Sequence, residues 1–257
     1  MTLFTCIHTL LLSCTLVCTL AIASESSTAP PRETLAFELT VSADDEDIAP
    51  WIAQHLELQR YKNLSDLDDQ EMAKLVRDAD VQARDLLATL GYFNPQLRWK
   101  LDSQPSAGRL RTVDLTVEAG PAARITDVQI QWQGDIGQRA EAALQREQVV
   151  LEWALPVGLN FSQNQWSQAK SRALKQVQAE RYPQARIVDS QAHVDAQSNQ
   201  VQLSLTIDSG QLVRIGPLVI TGTERYGTEQ VERLAHLMPG AIYNQNDLLL
   251  AQQRLVV

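Results

Sequence analysis

Residues 115–125 read LTVEAGPAARI, and residues 205–215 read LTIDSGQLVRI. Leu115/Leu205, Thr116/Thr206, Gly120/Gly210, Arg124/Arg214 and Ile125/Ile215 are identical, and Val117/Ile207, Glu118/Asp208 and Ala119/Ser209 are conservative. The register extends outward, with Val113 against Leu203, and Val128 and Ile130 against Leu218 and Ile220. Self-similarity at one fixed offset, here 90 residues, is the mark of a chain built from successive copies of one supersecondary unit. A second match, GLNFSQNQW from Gly158 against GAIYNQNDL from Gly240, has an offset of 82. The copies therefore differ by an eight-residue insertion between the two motifs, and residues 148–153 are a plausible place for it. Loop closure entropy grows slowly with length, so such an insertion is tolerated.

Each motif has a local reading. Val113, Leu115 and Val117, and likewise Val201, Leu203, Leu205 and Ile207, alternate with polar residues. A period of two predicts a strand with one buried face. The glycine then turns the chain, and Arg124-Ile125 or Arg214-Ile215 opens the next strand. The second motif opens a helix. Ser162 with Gln165, and Asn244 with Asp247, have N-cap and N3 spacing, which satisfies backbone N–H groups at a helix start. Phe161 and Tyr243 precede the caps, and Trp166, Ala169, Ala173 and Val177 follow at helical spacing.

The first copy obeys the same grammar. Residues 35–41 alternate as a strand, 48–58 read as a short helix, and a long helix starts near Asp69, with Met72, Leu75, Val76, Ala79, Ala83, Leu86, Leu87 and Leu90 on one face and Gly91 as its stop. A hairpin follows, turning at residues 103–109 with Pro105 and Gly108. The order is strand, helix, helix, strand, strand. The second copy predicts a strand at 124–132, helices near 138–146 and 162–180, and strands at 185–195 and 200–208. The third starts alike, with a strand at 214–221 and a helix near 228–238, but shows no final hairpin before Val257. The expected organisation is unit 1 at 35–119, unit 2 at 120–209 and a partial unit 3 at 210–257, in a protein that continues further. Unit 3 is expected to be poorly ordered without a sheet on which to bury its helices.

Residues 1–23 carry no Asp, Glu, Lys or Arg, and the apolar run LLLSCTLVCTLAI ends at an A-x-A-like site, Ala21-Ile22-Ala23. At about 13 residues the run is short of the roughly 20 a bilayer span needs, so 1–23 reads as a secretory signal peptide. The lack of a basic n-region keeps an uncleaved anchor as the alternative, and lipidation at Cys14 is conceivable. All three cysteines, Cys6, Cys14 and Cys18, lie here, so the mature chain is not built on disulfides. Ser- and Pro-rich residues 24–34 read as a flexible leader.

The net charge of −9 and the absence of a Lys/Arg stripe argue against nucleic acid. Asp44 to Asp47, and Asp66, Asp68, Asp69 and Glu71, precede helices, where acids favour the dipole; a cation site would need the Gly and spacing of a calcium loop. His8, His55, His193 and His236 have no metal spacing. No nucleophile elbow or P-loop appears, so no catalytic, cofactor or metal residue is assigned and an enzyme is not expected.

Gly91-Tyr92-Phe93 after a long helix, the G-x3-R-I junctions at Gly120 and Gly210, and GPLVITGTERYGTEQVERLAHLMPGAIYNQNDLLLAQQRL over residues 216–255 together resemble tandem POTRA domains of the Omp85 superfamily, and most closely its TamA-like branch, over about residues 34–257. The resemblance implies an α+β fold of β-α-α-β-β units, each a three-stranded sheet packed on two helices. It also implies a periplasmic location tethered to the outer membrane by a barrel that these residues do not contain. The implied role is assembly of outer-membrane proteins and autotransporters, with unfolded outer-membrane clients and a TamB-like inner-membrane-anchored partner. A POTRA-bearing two-partner secretion or divisome protein, and a soluble periplasmic peptide-binding or chaperone module, are the alternatives. The family places the first strand of each hairpin at a sheet edge, where an extended peptide can add. In unit 1 this is residues 95–102, with Leu97, Trp99 and Leu101 alternating against Arg98 and Lys100. Arg98, Trp99, Lys100, and Arg186 and Val188 in unit 2, are the interaction candidates; the competing and favoured reading of the outward cations is that they guard the edge against aggregation. Gly120, Arg124, Gly210 and Arg214 are the inter-unit candidates. The two arginines either bind a carboxylate across the boundary or are solvated strand starts.

Overall fold

The structure, a computed structural model, describes residues 35–64, 66–102, 110–222 and 227–256. The signal-peptide and leader assignments and the hairpin turn at 103–109 lie outside the described residues. The alternating residues Phe37–Ala43 form β1, followed by α1 (Ile48–His55), a 3-10 turn over Glu57–Tyr61, and α2 (Asp69–Thr89). The hairpin strands are β2 (Gln96–Asp102) and β3 (Arg111–Glu118). Among the acids read as helix starts, Asp68 and Glu71 cap α2. Asp68 Oδ1 accepts from Glu71 N at 2.8 Å and Glu71 Oε2 accepts from Asp68 N at 3.0 Å, a reciprocal capping box. At α1 no side chain caps the helix; the carboxylate of Asp45 accepts from Asp47 N in the turn that leads into it.

The first sheet has the order β1-β3-β2, with β1 and β3 parallel and β2 antiparallel to β3. The parallel pair requires a crossover, which α1 and α2 supply. Phe37, Val113, Leu115 and Val117 face Ile52, Met72, Ala83 and Leu87 in one buried apolar core.

The second copy repeats the plan. It comprises β4 (Arg124–Gln133), the single turn α3 (Asp135–Gln138), α4 (Ala143–Leu151), α5 (Gln163–Ala179), β5 (Arg186–Asp195) and β6 (Gln200–Asp208). Its sheet order is β4-β6-β5, again with a parallel β4–β6 pair. A separate core gathers Ile125, Val149, Phe161, Trp166, Val177, Leu203, Leu205 and Ile207. The Ser162 hydroxyl caps α5 by accepting from Gln165 N, as its spacing predicts. The extra length expected near 148–153 is partly helix, since α4 runs to Leu151.

After β6 the resemblance between copies weakens. Helices α6 (Thr228–Ala235) and α7 (Gln245–Leu255) form and touch one another, and α7 reaches α5. The strand expected at 214–221 does not form; only Arg214 makes a bridge, to Ile242. In the two complete copies the first strand pairs in parallel with the last, and among the described residues no strand follows α7 to play that part. An alternating pattern supplies a face to bury, but a strand needs a partner for its backbone groups. Val219 and Met238 are left 86% and 76% exposed.

Candidate functional site

The joint between the two complete copies explains why both motifs recur. The Gly91 carbonyl, just past α2, accepts from Ala123 N, the Ala123 carbonyl from Phe161 N, and Leu159 O from Ile125 N, while Gly158 N donates to Ile125 O; the four bonds span 2.8–2.9 Å. At the next joint Arg181 O accepts from Val213 N, Val213 O from Tyr243 N, Ala241 O from Ile215 N, and Ile215 O from Gly240 N, at 2.7–3.0 Å. These are the same bonds shifted by 90 and 82 residues. The two repeated motifs have different offsets but are hydrogen-bonded to each other, so neither can drift without the other.

Side chains seal the first joint. Phe93, from the segment after α2, packs against the second core, its ring 6.1 Å from that of Phe161, while its neighbour Tyr92 packs against the first. Tyr92 and Tyr182 occupy equivalent places. Burial, then the negative charges of Asp45 and Asp44, raises the Tyr92 phenol above its ordinary pKa, and burial followed by Asp135 does the same at Tyr182. Asp135 holds the exit from β6: its Oδ2 accepts from Leu212 N at 2.9 Å and from Arg139 Nε at 2.9 Å, and its own N–H donates to Gly210 O. The Leu212 bond first, and Arg139 second, keep its carboxyl below the usual carboxylate range.

The junction candidates divide. Gly120 and Gly210 both take positive φ, 71° and 62°, as a turn after a strand requires. The Arg214 guanidinium donates to Gly240 O at 2.8 Å, a backbone carbonyl. Arg124 is exposed, and neither arginine forms an ion pair among the described residues.

The strand candidates divide as well. Strands β2 and β5 are both sheet edges. On β2, Arg98 and Lys100 lie exposed on the outer face. Arg98 pairs with Glu118 at 2.8 Å, and Arg186 at the start of β5 pairs with Asp208 at 2.6 Å. Trp99 points the other way, into the first core, where its Nε1 donates to Asp80 Oδ1 at 2.9 Å. Val188 is the extra residue of a β-bulge, since β5 pairs Ile187 with Ile207 and then Asp189 with Thr206. A second bulge sits at Thr126 on β4. Only the first sheet keeps an unbroken register, seven successive pairs from Gln96↔Glu118 to Asp102↔Thr112 along β2.

The bulges were readable. The apolar phase runs Ile187, then Ala192 and Val194, and Ile125, then Val128, Ile130 and Trp132; each changes parity once, whereas Leu97, Trp99 and Leu101 never do. A groove of about 590 Å³, which no motif in the sequence marks, lies between β4 and the end of α4, lined by Val128, Ile130, Val150, Leu151, Trp153 and Val157. Leu151 there is 86% exposed. No cluster of metal-ligating side chains, and no helix long and apolar enough to cross a membrane, occurs among the described residues.

No family model matches the chain, and no curated protein matches it. Among solved structures it is similar to Haemophilus influenzae BamA POTRA3-5 (16% identity, 89% of this chain and 88% of that chain, TM-score 0.43). It is also similar to POTRA1-3 of the periplasmic domain of Omp85 from Anabaena (14% identity, 86% and 84%, TM-score 0.36). A third likeness is to CdiB from Escherichia coli (14% identity, 73% of this chain and 29% of that chain, TM-score 0.28).

Proposed function

We propose that this chain is the POTRA region of a TamA-like assembly factor for outer-membrane proteins, a non-enzymatic periplasmic scaffold that holds extended segments of unfolded clients, or of a TamB-like partner, along a sheet edge. The observation that carries the reading is β2, an edge strand in unbroken register beside its neighbour. Two β-α-α-β-β copies in series, with the motif resemblance at residues 216–255, support the family assignment.

Strand addition suits a protein that serves many clients, because main-chain hydrogen bonds do not read side chains. Four or five added bonds at about 0.5–1.5 kcal/mol each, less the entropy of ordering the segment, give affinities of roughly micromolar to millimolar. Such binding releases its client. A photo-crosslinking side chain placed at Lys100, exposed on β2, and another at Arg172, exposed on α5, test the idea with an unfolded outer-membrane barrel protein as the client. Adducts are expected from β2 alone; equal yields at both positions, or none at Lys100, refute it.

A further inference from the structure

Resting on the strand-addition reading, the charge pattern of the first sheet specifies which segments its edge prefers. The outer face of β3 presents Thr112, Asp114, Thr116 and Glu118, and beside it β2 presents Gln96, Arg98, Lys100 and Asp102. Acids on β3 thus face cations on β2, and the Arg98–Glu118 pair shows the rows in contact. Lys100 lies directly across from Asp114, yet no carboxylate comes within ion-pair distance of its ammonium among the described residues. On the opposite face Leu97, Trp99 and Leu101 are half-buried at the sheet margin, so each has apolar surface that a further strand would cover.

We propose that the β2 edge takes an extended segment that alternates carboxylate and apolar side chains, with carboxylates two residues apart against Arg98 and Lys100 and apolar groups beside Leu97, Trp99 and Leu101. Opposite charges directly across a strand pair stabilise it and like charges destabilise it, so a third row continues the alternation of sign. Side chains two apart share one face, so the spacing of the two cations sets the spacing of the acids.

The other edges lack this pattern. The outer row of β5 carries Arg186, Asp189, Gln191, His193 and Asp195, so its one arginine, already paired with Asp208, is followed by an acid and not by a second cation, and its register steps at Val188. Arg124 is the one cation among the outward residues of β4, and that strand steps at Thr126. Strand β1 turns Glu38, Thr40 and Ser42 outward. Bulges twist an edge away from incoming strands, so the second copy is blunted where the first is open.

The test uses the full chain and two fluorescent nonapeptides, TVEVEVEVT and its lysine counterpart TVKVKVKVT. Fluorescence anisotropy gives the affinities, and amide hydrogen exchange locates the bound edge. The acidic peptide is expected to bind about tenfold more tightly than the lysine peptide, with protection confined to residues 96–102. The double variant R98E/K100E reverses the order, and R98Q/K100Q, which keeps the strand polar, abolishes the preference without reversing it. Equal binding of both peptides at β2, unchanged by either double variant, overturns the charge preference and leaves strand addition standing. Protection of β5 in place of β2 overturns the choice of edge. Failure of both peptides to protect any edge refutes strand addition itself.

Discussion

The carbonyl oxygen of Phe161 stands where a Cβ on Gly91 would go. Gly91 has φ +98°, a conformation that side chains disfavour, and its own carbonyl holds Ala123 N–H at 2.9 Å. Strain and collision therefore act together. Gly91→Ala should lower stability by about 2 kcal/mol or more and loosen the joint. The denaturation midpoint reads the first effect and small-angle scattering the second. An unchanged midpoint and molecular shape would show that the joint absorbs the methyl group.

Phe161 and Tyr243 hold the same place in the two joints and differ in burial. Phe161 is 3% exposed in the second core, whereas Tyr243 is only partly covered, since among the described residues no sheet packs over the third segment. Truncating a buried aromatic removes both transfer energy and packing, so Phe161→Ala should cost roughly 3–5 kcal/mol. Tyr243→Ala should cost far less, about 1 kcal/mol for a half-covered side chain. Urea titration of the two variants measures the contrast; equal losses would mean that the third segment is as firmly packed as the second.

Much of this was legible in the residues. Alternation marked β3 and β6, helical spacing marked α2 and α5, and Ser162 announced its helix. Tyr92 and Tyr182 also stand at the 90-residue offset in the sequence. What one strand's pattern does not contain is its partner. Residues 214–221 alternate as β4 does, yet stay unpaired apart from the Arg214 bridge. Arg98 and Trp99 are adjacent in sequence, and the pleat sends one to solvent and the other to Asp80. The joint was invisible for a related reason. Gly91, Ala123 and Phe161 meet through backbone groups, which every residue carries, so only the matched offsets hinted at the contact.

Asp135 makes stability depend on pH in a definite direction. Its carboxyl is held low by Leu212 N–H and then by Arg139. A carboxylate with a depressed folded-state pKa contributes stability that is present above its unfolded value and is lost as pH falls through the folded one. Asp135→Asn should therefore lower the melting temperature most near neutral pH, and the gap from the parent should narrow below about pH 4. Thermal unfolding from pH 3 to pH 7 tests this; a gap that stays constant over the range would assign the effect of the variant to lost geometry.

The last prediction concerns what holds β2 in place. Asp80, on the edge-strand side of α2, accepts from Trp99 Nε1 through one oxygen and from Arg84 Nε through the other, each at 2.9 Å. Arg84 in turn donates to Pro95 O at 3.0 Å, one residue before β2 begins. The helix thus grips the edge strand at its entry and near its middle. Asp80→Ala removes a charge-assisted acceptor and leaves a half-buried indole N–H unpaired, at a cost of about 1–3 kcal/mol. The strand should loosen before the sheet unfolds. Amide exchange should therefore quicken across Gln96–Asp102 more than across Arg111–Glu118, and Trp99 emission should shift toward that of a solvated indole. Uniform acceleration over both strands would show that the carboxylate stabilises the whole unit and does not anchor its edge.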